Sequence, residues 1–73
     1  MTLHDSTFQY LNPTESQKDA MAAIRGAAHA YADILEAELP EGPDKTYTLR
    51  KLREVAMWAN VAITRQPDGS PRL

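Results

Sequence analysis

Between residues 14 and 39 the apolar positions return every third and fourth residue. Met21, Ile24, Ala28, Tyr31 and Leu35 form one stripe, and Ala20, Ile24, Ala27, Tyr31 and Ile34 form an adjacent one. That period is helical, and the two stripes together make an apolar face wider than a two-helix seam requires. Thr14 followed three residues later by Gln17 fits a capping box, and Asn12 as N-cap with Pro13 at the first helical position is an equally good start. Ala20, Ala22, Ala23, Ala27, Ala28, Ala30, Ala32 and Ala37 permit close helix approach, and Gly26 suits a site where another backbone or a ligand comes near. Pro40-Glu41-Gly42-Pro43-Asp44 stops this helix. A second stripe of Leu49, Leu52, Ala56, Ala59 and Ile63, widened by Val55, Met57, Trp58, Val61 and Ala62, predicts a helix from about Asp44–Thr48 to about Arg65. Residues 1–12 carry no helical period and read as an N-terminal arm or a short N-terminal helix. Residues 66–73 are polar and rich in breakers, and they read as a flexible tail. The expected fold is all-α: an antiparallel two-helix hairpin over 13–65 with an arm before it and a tail after it.

A hairpin of this kind cannot cover both wide apolar faces, so the pattern calls for self-assembly or for the helices of a partner. Length strengthens that inference. A 73-residue chain without cysteine has neither a large core nor a disulfide or thiolate-zinc staple. Charge is unevenly divided. Residues 1–44 hold two cations against eight acids, net −6, whereas residues 45–73 hold six cations against two acids, net +4. The halves complement each other, within one chain or between copies, or else reflect two independently solvated faces. The overall charge of −2 argues against a DNA or RNA polymer as ligand. No apolar run spans a bilayer and no secretory signal is present, so the default location is cytosolic.

Catalytic chemistry finds no foothold. No nucleophile triad, glycine-rich phosphate loop or metal-ligand spacing occurs, and no cofactor is implied. Asp33, Glu36 and Glu38 read as a solvated acidic face, and His29 as a surface or interface residue. Arg50, Lys51 and Arg53 form a basic cluster that either pairs with the acidic first helix or contacts phosphate. Phe8 and Tyr10 stand out on an irregular arm. They either stack on nucleobases or pack onto the hairpin of a neighbour.

Phe8-x-Tyr10-x-x-Pro13-Thr14, Ile24-Arg25, Leu39-Pro40-x-Gly42 and the run Leu52 to Arg65 together resemble the phage anti-CBASS cyclic-oligonucleotide sponges, whose hairpin is related to that of the anti-Thoeris sponges. The similarity covers about residues 8–65, and Met57-Trp58-Ala59-Asn60 with Ala62-Ile63 and Arg65 is its most specific part. It implies a homohexamer that captures cyclic di- and trinucleotide immune messengers without cleaving them, in the cytoplasm of the infected bacterium, so that the effector is never activated. By the same resemblance Tyr10, Arg25 and Phe8 would bind a cyclic dinucleotide, and Arg65, Thr64 and Asn60 a cyclic trinucleotide at a separate site. Two positions depart from the family pattern: Pro43 replaces an arginine after the turn glycine, and Arg53 stands where an acid is usual. Both bear on pocket electrostatics. The alternative reading is a structural or regulatory hairpin that binds a protein partner.

Overall fold

The computed structural model describes residues 2–72. Met1 and Leu73, the outermost residues of the expected arm and tail, lie outside the described residues. A short 3-10 turn, Asp5–Phe8, precedes two long helices, α1 (Glu15–Glu38) and α2 (Pro43–Thr64). The helices pack as an antiparallel pair, and among the described residues the only β pairing is an isolated bridge between Arg65 and Pro71.

Of the two possible starts for α1, the capping box prevails. Thr14 Oγ1 accepts from the Gln17 amide at 3.1 Å, and Gln17 Oε1 accepts from the Thr14 amide at 2.9 Å. Two of the four unpartnered amides of the helix start are satisfied reciprocally. α2 begins at Pro43, a little before the expected Asp44–Thr48. Proline at the first helical position lacks only an N–H that would have no partner there. Gly42 supplies the N-cap at φ 149°, a conformation closed to other residues.

One lysine stitches the turn. Lys45, only 7% exposed, donates to the Glu36 carbonyl at 2.9 Å and to Glu41 Oε1 at 2.7 Å, with Glu36 Oε2 at 3.3 Å. It thereby satisfies one of the last carbonyls of α1 and bridges the acidic first half to the basic second half. The hydrogen bond to Glu41 raises the Lys45 pKa above the ordinary lysine value, with Glu36 adding to it against the opposing effect of desolvation.

The molecule is a slab of 43 × 28 × 15 Å with a radius of gyration of 15.1 Å. A compact globule of this length would have a radius near 11 Å. Two helices side by side make one layer, and one layer has no interior. No described hydrophobic side chain is buried. Ala28, Leu52 and Ala56 lie on the seam and border a groove on each face. Beyond it Tyr31, Ile34, Val55, Met57 and Trp58 are each more than half exposed. Gly26, expected where something approaches closely, has open space around it in the single chain.

The tail, over residues 66–72, is tied by hydrogen bonds to its own backbone and to the end of α2. Gln66 N donates to the Ser70 carbonyl at 2.7 Å, Gly69 N to the Gln66 carbonyl at 2.9 Å, and Arg72 N to the Thr64 carbonyl at 2.8 Å. All four terminal carbonyls of α2 find partners. Arg65 N serves Val61, Arg72 Nε serves Ala62, Gln17 Nε2 serves Ile63, and Arg72 N serves Thr64. The same residues that make the tail look disordered, Pro67-Asp68-Gly69-Ser70, are those a tight turn needs.

Candidate functional site

The antiparallel return of α2 brings its C-terminal end beside the N-terminal arm. There Arg65 reaches across. Its Nη1 donates to the carbonyls of Ser6 at 2.9 Å and Gly69 at 2.7 Å, and its Nη2 donates to the carbonyl of Gln9. Three of the five guanidinium N–H groups are therefore engaged with backbone, leaving Nε and one hydrogen of Nη2. Gln17 acts from α1. Its Nε2 donates to the Ile63 carbonyl at 3.3 Å and the Arg72 carbonyl at 2.8 Å while its Oε1 completes the capping box.

The arm crosses this junction and divides two grooves. The first, of 300 Å³, is lined by Gln9, Tyr10, Leu11, Pro13, Met21, Asn60, Val61, Thr64 and Arg65. Tyr10 stands on its edge, 86% exposed, with a ring face free for stacking. In the same lining Asn60 Oδ1 is buried without a hydrogen-bond partner, and Thr64 Oγ1 donates to the Asn60 carbonyl at 2.9 Å. Arg65 is the only charged residue of the lining. The second groove, of 430 Å³, is lined by Phe8, Leu3, Trp58, Val61, Pro67 and the stem of Arg65, with Thr7, Gln66 and Gly69. Phe8 is 91% exposed.

The expected residues are thus grouped differently from the expected division. Tyr10 shares a groove with Asn60, Thr64 and Arg65, which the resemblance assigned to a separate trinucleotide site. Phe8 faces the neighbouring groove beside Trp58. Arg25 lies one helical turn beyond Met21 on α1, outside the lining of the Tyr10 groove, exposed and in no ion pair among the described residues. Within one chain Arg25 and Tyr10 do not converge.

Elsewhere the charges are local. His29 pairs with Asp33 at 3.3 Å and Lys51 with Glu54 at 3.2 Å, and Lys51 also sits 5.3 Å above the Tyr47 ring. Such exposed pairs contribute little. At the junction the Ser70 hydroxyl and amide donate to Asp68 Oδ1 at 2.7 and 2.9 Å and hold that carboxyl below the usual carboxylate range, with His4 adding a smaller effect. Gly69, at φ 92°, lies so close to Thr7 that a Cβ there would collide with the Thr7 hydroxyl. Sequence reasoning passed over Gln17 as a cross-link, Lys45 as the turn staple and Gly69 as the contact point of arm and tail. Only Gly69, within a breaker-rich turn, left any trace in the pattern.

Among the described residues no group of three or more His, Cys, Asp or Glu side chains is placed to hold a metal ion, and no helix is long and apolar enough to cross a membrane. The fold and its end groove define a small all-α hairpin module. Its sequence matches the family described as Acb2/Tad1, hairpin domain, over residues 3–64. The chain belongs to that family, the anti-CBASS and anti-Thoeris sponges. No curated protein and no solved structure matches it.

Proposed function

We propose that this protein is a phage anti-defence sponge. It binds cyclic oligonucleotide messengers of bacterial immunity stoichiometrically and without cleavage, so that the CBASS effector is deprived of its activator in the cytoplasm of the infected cell. Family membership over residues 3–64 supports the class. The observation that carries the ligand chemistry is the open groove whose lining joins an exposed tyrosine to Asn60, Thr64 and Arg65. A nucleobase takes a stacking partner and edge hydrogen bonds from such a set.

At 300 Å³ the groove lies at the lower limit of ligand pockets, about 300–1,000 Å³. It suits one base rather than a whole cyclic dinucleotide. Pairing two copies about a twofold axis would present two Tyr10 rings to the two bases and would bring the free Arg25 of one chain toward a phosphate held by the other. Arginine is the residue suited to that contact, since it is permanently charged and forks onto phosphate oxygens. Phe8 lines the neighbouring groove and would offer a further stacking face from there. The exposed apolar faces support assembly for the same reason, and a homohexamer is the expected state. Cyclic trinucleotides are assigned to Arg65, Thr64 and Asn60 with less support, because most of the Arg65 guanidinium is engaged by backbone carbonyls.

The test is uptake and release. Protein incubated with cyclic GMP–AMP, washed and heated should return the intact nucleotide. Linear product would identify a phosphodiesterase. An absence of uptake across cyclic di- and trinucleotides would favour a hairpin that binds a protein partner.

A further inference from the structure

Every described hydrogen bond from residues 2–12 to another part of the chain ends on Arg65 or Asp68. Arg65 grips the carbonyls of Ser6 and Gln9. The Asp68 carbonyl accepts from the His4 amide at 2.6 Å and from Thr7 Oγ1 at 3.4 Å. Gln9, one end of this grip, is the residue immediately before Tyr10. The arm has no helix beyond one 3-10 turn, and its two large side chains, Phe8 and Tyr10, are almost fully exposed. Its placement therefore depends on Arg65 and on the turn formed by residues 66–72. That turn is itself closed by Asp68 on Ser70, by the Gly69 carbonyl on Arg65, and by Arg72 and Gln17 on the end of α2. The family match stops at residue 64, so this turn lies beyond the matched segment.

We propose that the C-terminal turn 66–72, gripped through Arg65, is a latch that holds Tyr10 over its groove. Arg65, Asp68 and Gly69 are then positioning residues for ligand capture. The inference rests on the Tyr10 groove being the ligand site. A released arm would sample many conformations, and the observed affinity would fall in proportion to the fraction that keeps Tyr10 in place. Gly69 is the sharpest point of entry. It lies outside the lining of the Tyr10 groove, it holds a positive φ, and any side chain there meets Thr7.

The experiment uses the full chain with Gly69→Val, each alone and combined with Tyr10→Ala. Backbone amide exchange reports on the arm, and calorimetry with cyclic GMP–AMP reports on binding. Gly69→Val should speed exchange at His4, leave helix content by circular dichroism unchanged, and weaken binding by about tenfold if the latched fraction falls to about one tenth. In the Tyr10→Ala background the same substitution should change affinity less than about twofold, since two residues acting through one contact do not add. Unchanged exchange at His4 would overturn the latch. So would an equal loss of affinity in both backgrounds, which is what general destabilisation produces. If Tyr10→Ala alone retains full affinity, the groove reading fails instead, and the latch is then decided by exchange at His4. Should Gly69→Val not fold, Asp68→Ala removes the carboxylate that closes the turn and carries the same comparisons.

Discussion

The two ends of this hairpin are held by different forces from its middle. Through the middle, α1 and α2 meet along a seam of Ala28, Leu52 and Ala56, and large apolar side chains on both sides of it stay exposed. At the arm-and-tail junction the pattern reverses. Apolar burial is slight there too, but the side-chain hydrogen bonds that cross the junction all run to backbone carbonyls, from Arg65, Arg72, Gln17 and Thr7. The turn end resembles the junction, with Lys45 as its staple. Apart from Asn60 Oδ1, the polar ends are tied by hydrogen bonds within one chain, whereas the apolar middle leaves large side chains exposed. The proposed assembly through the middle would bring two groove-bearing ends together around the ligand.

The sharpest way to break that contrast is to place a charge on the exposed middle. Val55 is 63% exposed and borders one face of the seam. Light scattering should give the wild type a mass several times 8.1 kDa, with six copies expected. Val55→Asp should reduce it to the monomer and lower helix content, because the single layer has no buried core. A folded wild-type monomer at micromolar concentration would remove the need for a partner and the shared site with it. Trp58→Ala should weaken association less drastically, by about 2 kcal/mol if Trp58 is an interface anchor.

The next effect belongs to the groove. Tyr10→Ala should cost about 1–3 kcal/mol for each base stacked, and Arg25→Ala a comparable amount through lost phosphate contacts, with the mass of the assembly unchanged in both. Retained wild-type affinity in calorimetry for both variants would withdraw these assignments. Arg65→Ala should weaken dinucleotide as well as trinucleotide binding, since it releases the arm. Loss of the trinucleotide alone would restore two separate sites.

The polar ends offer the smallest effects, and pH separates them. The raised pKa of Lys45 means that its contribution is fully present below the unfolded lysine value, about 10.4, and is lost as pH rises above it. Asp68 behaves oppositely. Its lowered pKa stabilises the junction above about 3.9, and that contribution fades as pH falls below it. Thermal melts of Lys45→Met and Asp68→Asn should therefore lose the alkaline and the acid dependence respectively. A melting curve of either variant with unaltered pH dependence would dissociate that staple from stability.

The helices were legible in the chain because apolar spacing of three and four is a direct image of the helix period, and Thr14 with Gln17 marked the start of α1. The exposed apolar faces were legible too, since the stripes are wider than one seam. The latch was not. Arg65 acts on carbonyls 56 and 59 residues away, at Gln9 and Ser6, and a carbonyl acceptor leaves no mark in a sequence because every residue has one. The breakers of the tail were visible, but not which carbonyls tie it to Arg65 and to the arm. Tyr10 and Asn60 were each visible as candidates, but their shared groove follows from the return of α2 to the arm, which spacing along either helix does not encode.

The central claim, a ligand site completed by two copies that hold the messenger intact, is tested most directly by native mass spectrometry of the protein mixed with cyclic GMP–AMP. The account predicts adducts of the unmodified nucleotide on multi-chain species only, saturating at one nucleotide for every two chains. Nucleotide bound one-to-one on the monomer, or the mass of a linear product, would contradict it.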